Sequence, residues 1–154
     1  MNALDIRHAT RDDLDALIAL YTQLNADNAP APRERLADIL AAIVASDAFA
    51  VIVGTRDGHV VATCYLNVIP NLTRGGASYA VIENVVVDTS LRGTGLGRQV
   101  MQSALDEAWA RGCYKVLLQT GSTDPRVARF YEICGFSGTD KKGFVAWSPD
   151  RRPR

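Results

Sequence analysis

The sequence predicts a single α/β (α+β) domain: a mixed, mostly antiparallel sheet flanked by about four helices. Three observations carry this expectation. Apolar patterns of period two and period 3.6 follow one another in the order β-α-α-β-β-β-α-β-α-β-β. A glycine-rich segment, Arg92-Gly93-Thr94-Gly95-Leu96-Gly97, stands between a strand and a helix. No linker, repeat or low-complexity stretch divides the 154 residues, so one domain is expected over 1–154, with 148–154 a frayed polar tail.

Residues 4–9 alternate apolar and polar side chains, as an opening strand does. Thr10 then caps a helix, with Asp13 three residues on to complement the helix dipole. Leu14, Leu17, Ile18, Tyr21 and Leu24 give that helix an apolar stripe. Residues 25–31 form a loop, and Pro32 suits the first position of a second helix. Leu36, Ile39, Leu40, Ile43 and Val44 make its inner face. Strands at 49–54 and 60–69 are joined by a turn centred on Asp57-Gly58. A loop over 70–78 leads to a β-rich run over 79–87. A helix over 95–111 turns Leu96, Val100, Ala104, Leu105 and Ala108 inward and stops at Gly112. A strand over 114–119 follows, then a helix from Asp124-Pro125 to Cys134; Phe136 and 143–147 are expected as final strands.

Composition narrows the function. A chain that is 47% hydrophobic and 22% charged folds into a globular core. A formal net charge of +0 gives no electrostatic footprint for nucleic acid or a membrane surface. No apolar stretch reaches the roughly 18 residues of a membrane span, and residues 1–8 lack the pattern of a signal peptide. Cys64, Cys113 and Cys134 have no paired spacing and are expected as small hydrophobes in a reducing cytoplasm. No CxxC or HxxxH pattern suggests a metal, and His8 and His59 receive no role.

The glycine segment is an anion site by its physics. A helix start leaves unpaired N–H groups and carries partial positive charge. Glycines let that backbone approach a bulky anion, and Arg92 and Arg98 flank it. A Walker loop would end in Gly-Lys-Ser/Thr, which is lacking here. A Rossmann fingerprint would read GxGxxG directly after the strand, whereas Gly93, Gly95 and Gly97 are spaced GxGxG and follow Asp88 to Arg92. The pattern Arg/Gln-x-x-Gly-x-Gly/Ala fits Arg92, Gly95 and Gly97, and with it the sequence resembles the GNAT acetyltransferase superfamily. The element order over 4–147 and the close Phe130-Tyr131-Glu132-Ile133-Cys134-Gly135-Phe136 resemble that family too. Ile82-Glu83-Asn84-Val85-Val86-Val87, Gly95-Leu96-Gly97 and Gly112-Cys113-Tyr114-Lys115 are most similar to the glucosamine-6-phosphate N-acetyltransferase subfamily, over about 60–138. Two departures stand out: Leu118-Gln119-Thr120 replaces an acidic strand end, and 121–125 is a longer link.

The resemblance implies the GNAT acyl-CoA N-acyltransferase fold, acetyl-CoA as co-substrate and no metal. It implies that the backbone of Val85, Val86 and Val87 pairs with the pantetheine arm and supplies an oxyanion donor. Gly93, Thr94, Gly95, Leu96, Gly97, Arg92 and Arg98 then hold the pyrophosphate. Tyr131 is the implied acid for the departing thiolate, or else an aromatic packed beside Phe130 and Phe136. Glu83 either takes the amine proton or binds the ammonium, or is a satisfied charge on an exposed face. Asp124 either contacts the CoA arm or caps the last helix; Arg126 and Arg129 either reach CoA phosphates or are solvated. The expected reaction is direct acetyl transfer, in a ternary complex, to a primary amine of a small molecule, amino sugars among them. A protein or peptide acceptor and a non-catalytic acyl-CoA-binding module are the alternatives. A homodimer is implied by the sugar enzymes.

Overall fold

Thr10 and Asp13 show how local chemistry starts this fold. The Asp13 carboxylate accepts the Thr10 N–H at 2.7 Å and closes one turn of 3-10 helix before the first α-helix. The same carboxylate takes two hydrogen bonds from Arg7, at 2.7 and 2.8 Å. These residues belong to a computed structural model that describes residues 4–27 and 29–150. Asn28, in the expected first loop, and 151–154, in the expected tail, lie outside the described residues. The chain forms two compact units, Met1–Leu118 and Gln119–Arg154.

The first unit holds β1 (Asp5–His8), α1 (Leu14–Leu24), α2 (Arg33–Val44), β2 (Phe49–Arg56), β3 (His59–Ile69), β4 (Tyr79–Val87), α3 (Leu96–Ala110) and β5 (Val116–Leu118). The strands lie in the order β1-β2-β3-β4-β5. All neighbours are antiparallel except β4 and β5, which run parallel. The β2–β3 turn has positive φ at both Asp57 and Gly58 (51° and 78°), as its Asp-Gly sequence predicts.

Alternation along β2 splits the core between two faces. Val51 and Val53 join Leu14, Leu17 and Leu40 in a cluster under α1 and α2. Ile52 and Gly54 face the other way. A Cβ on Gly54 would stand 3.1 Å from Val100 Cγ2, so α3 covers that face. On α3 the expected inner positions Leu96, Val100, Ala104, Leu105 and Ala108 are all buried, joined by Met101. His8 meets Glu107 of α3 at 2.7 Å, a contact made across 99 residues.

The stripes on α1 and α2 differ in part from expectation. On α1, Leu20 is buried, while Leu24 is 41% exposed. On α2 only Leu40 is buried; Ile39 and Val44 remain 46% and 44% exposed. The helix covers the sheet incompletely, so periodicity marks its inner side without sealing it.

The second unit holds α4 (Pro125–Ile133). Asp124 caps it by accepting the Arg126 N–H at 2.9 Å, and Pro125 occupies its first turn. The helix closes with hydrogen bonds from Gly135 N to Glu132 O and from Phe136 N to Tyr131 O. The final strands expected at Phe136 and 143–147 do not form among the described residues. β-propensity needs a ladder to act on, and no strand is paired with this segment. Phe144 is accordingly 85% exposed.

β4 carries an irregularity that its sequence does not announce. Thr63 pairs with Val86 and Tyr65 with Glu83, so Asn84 and Val85 together oppose Cys64 alone. This is a β-bulge, and Asn84 sits in it at φ 53°.

Asp13 has its pKa held below the usual carboxylate range, chiefly by the Arg7 hydrogen bonds. Its stabilisation is therefore complete above the unfolded value near 3.9 and is lost as pH falls through the lower folded value. Asp13→Asn should cost about 1 kcal/mol at neutral pH, allowing for solvent screening around Arg7, and should flatten the acid limb of a urea-melt series. At the bulge, Asn84→Gly should melt within about 0.5 kcal/mol of the parent, whereas Asn84→Val should lose about 1–2 kcal/mol to the left-handed conformation. Equal melts for both variants would show that φ at 84 is not constrained.

Candidate active site

The site in the first unit is built around the outer edge of β4. β5 pairs with β4 only over Ala80, Val81 and Ile82. The last pair is Ile82 with Leu118, where β5 ends. Asp88 N donates to Val61 O at 2.9 Å, so that residue still faces β3. By alternation the peptide groups of Val87 face the other way. There the Val87 carbonyl accepts a long hydrogen bond, 3.3 Å, from Arg92 Nε. A strand edge of this kind accepts an extended ligand as an additional strand.

The edge runs into the glycine segment. Asp88 accepts from the Ser90 N–H at 2.9 Å and the Ser90 hydroxyl at 2.5 Å, forming a tight turn. Those hydrogen bonds, with one from Gln23, hold the Asp88 carboxyl below its usual range. Gln23 of α1 binds both Asp88, at 3.1 Å, and the Thr89 N–H, at 2.9 Å. Sequence reasoning missed this clamp, for which Asp88-Thr89-Ser90 directly after a strand is the available signal. Gly93 and Gly95 have φ 78° and 84°, and Gly95 is the N-cap of α3. No side chain caps that helix. Its first N–H groups, lying on an exposed glycine turn beside exposed Arg92 and Arg98, are oriented for an anion. Leu96 and Gly97 are buried and anchor the turn against the core.

Glu83 is exposed and lies directly across from Tyr65 of β3, so the two side chains share the α1/α2 face of the sheet. On that face lies a cavity of about 360 Å3. Leu17 and Tyr21 of α1, Ile39 and Ile43 of α2, and Val51 and Tyr65 of the sheet form its walls. Asn84 of the bulge also lines it. Burial pushes the Tyr21 phenol up to about 12, partly offset by a hydrogen bond with Thr63.

In the second unit, Tyr131 is partly buried, with Phe130 and Phe136 packed edge-on at 5.1 and 6.3 Å between ring centroids. Asp124 is engaged as the cap of α4 and in an ion pair with Arg126 at 2.7 Å, which lowers its pKa. Arg129 pairs with Glu132 at 3.4 Å. The structure thus brings Glu83, Val85–Val87 and 92–98 along one strand edge and its following turn, and gives Asp124 a capping role. Among the described residues no cluster of His, Cys, Asp or Glu could hold a metal, and no helix is long and apolar enough to cross a membrane.

Known proteins share this fold. A glucosamine 6-phosphate N-acetyltransferase of Trypanosoma brucei brucei is 36% identical over 85 residues, covering 55% of this chain and 56% of that one. The chain spans about half the length of the curated relatives it matches. A solved chain from Agrobacterium tumefaciens str. C58 superposes with a TM-score of 0.89 at 40% identity, covering 94% of this chain and 99% of that one. The glucosamine-6-phosphate N-acetyltransferase from Arabidopsis thaliana superposes with a TM-score of 0.82 at 27% identity, covering 96% and 100%. The Acetyltransferase (GNAT) family profile matches residues 10–136, which include both β4 with its glycine turn and α4. The chain belongs to the GNAT acetyltransferase family.

Proposed function

We propose that this protein is an acetyl-CoA-dependent N-acetyltransferase acting on a primary amine of a small molecule. The observation that carries the reading is the outer edge of β4 beyond its last pair with β5 at Ile82, followed by a start of α3 at Gly95 that no side chain caps. Acetyl-CoA is held with its pantetheine arm along Val85, Val86 and Val87 and its pyrophosphate over Arg92, Gly93, Thr94, Gly95, Leu96, Gly97 and Arg98. Asp124 contributes by fixing the start of α4.

In this reading the neutral amine attacks the thioester carbonyl. The N–C bond forms, a β4 peptide N–H stabilises the oxyanion, and the C–S bond breaks. The amine proton leaves to Glu83 or through water to solvent. Tyr131 protonates the thiolate, so the products are the N-acetyl amine and free CoA. The family close from Phe130 to Phe136 supports the assignment of Tyr131, and its exposure beside the cavity wall Tyr65 supports that of Glu83. Relatives named for glucosamine 6-phosphate support a small-molecule amine as the acceptor class.

A cytoplasmic setting is supported by Cys64, Cys113 and Cys134, which are buried and lack the paired spacing of a disulfide framework. A homodimer is supported by the exposed Phe144, Val145 and Trp147 of the second unit, apolar surface suited to a partner.

Tyr131→Phe should lower kcat by about 100-fold in a CoA-release assay and leave acetyl-CoA affinity within about twofold. Unchanged turnover removes Tyr131 from the chemistry. Arg92→Glu should weaken acetyl-CoA binding about tenfold in titration calorimetry, with the loss shrinking at high salt. Binding of acetyl-CoA without turnover of any amine would instead support a non-catalytic acyl-CoA-binding module.

A further inference from the structure

We infer that the acceptor is an unphosphorylated primary amine carried on an apolar, ring-sized body, seated in the cavity between α1, α2 and the sheet. The inference rests on the acetyltransferase reading above and specifies its amine.

Position is the first argument. Asn84 and Tyr65 line the cavity, and Tyr65 is the direct cross-strand partner of Glu83. The cavity therefore ends at the bulge, beside the proposed base and the strand edge proposed for the thioester. A body held there presents an amine on a short arm to both.

Lining chemistry is the second argument. None of the described residues lining the cavity is Lys, Arg, His, Asp or Glu. A phosphate brought in would lose its hydration and gain no cation, the least favourable exchange available to a charged group. Arg33, which follows the rim residues Pro30 and Ala31 in sequence, is held by Asp15 through hydrogen bonds of 2.8 and 3.1 Å. The polar groups the walls do offer are uncharged, among them the hydroxyls of Tyr21 and Tyr65 and the amide of Asn84. Such groups orient an apolar ligand without competing for an anion.

Size is the third argument. About 360 Å3 lies at the low end of small-molecule sites and admits a single or fused ring. The exposed flank of α2 at Ile39 leaves a way in.

The test uses the full chain, acetyl-CoA, and four amines: phenethylamine, tryptamine, glucosamine and glucosamine 6-phosphate. Acetyl-CoA affinity is measured separately by calorimetry. The expected result is a kcat/KM for phenethylamine or tryptamine about tenfold or more above that for glucosamine 6-phosphate. Ile18→Trp, which fills the cavity, should lower kcat/KM for the aryl amine about tenfold and leave acetyl-CoA affinity within about twofold. Should Ile18→Trp fail to fold by thermal melt, Ile39→Arg at the exposed wall position is the second variant, with the same loss expected. Preference for glucosamine 6-phosphate in the parent overturns the inference, as does unchanged aryl-amine turnover in a folded variant. Tight acetyl-CoA binding with no turnover of either aryl amine overturns the acceptor class and spares the cofactor site. No acetyl-CoA binding overturns the underlying reading, and the inference with it.

Discussion

A sheet strand is satisfied only when both of its edges find partners, and β4 has a partner on one edge for just part of its length. It pairs with β3 from Tyr79 to Val87 but with β5 only as far as Ile82. The peptide groups beyond the last pair need partners other than β5, as the Val87 carbonyl has in Arg92 Nε. The rest of the first unit keeps that edge in place. α3 buries Leu96, Val100 and Met101 behind it, and the Gln23–Asp88 contact fixes the turn that follows. The start of α3, which no side chain caps, thus follows directly on that strand edge, the arrangement on which the proposed cofactor site rests.

The bulge at Asn84 reverses the side-chain alternation along this strand. Below it, Ala80 and Ile82 are buried while Glu83 lies on the α1/α2 face with Tyr65. Above it, Val86 pairs with Thr63 and is buried. One extra residue therefore lets a strand supply a core valine and an exposed carboxylate from the same face. The incomplete cover of α2 adds the apolar hollow beside that carboxylate. A charged group at the border of an apolar cavity is suited to an amine, whose proton must leave before its nitrogen can react.

Much of this was legible in the residues. The bounds of β4, the buried stripe of α3 and the Asp-Pro start of α4 follow from local patterning and capping chemistry, which act over a few residues. The glycine turn was legible for the same reason. Leu24, expected in the inner stripe of α1, is exposed, because how far a helix stays under its cover depends on the neighbouring element and not on its own period. The strands expected at Phe136 and 143–147 do not form among the described residues, because a β-prone stretch becomes a strand only when a partner ladder is present.

The sequence by itself determined the family, the element order through α4 and the glycine turn at the start of α3, since each rests on patterns between residues close in the chain. Tertiary structure decided the bulge at Asn84, the Gln23 clamp across 65 residues and the cavity drawn from α1, α2 and three strands. Each of these needs residues distant in sequence to be held at fixed distances, and only the packed sheet supplies that. The cavity belongs to this second group: its walls come from five separate elements, and no stretch of sequence contains it.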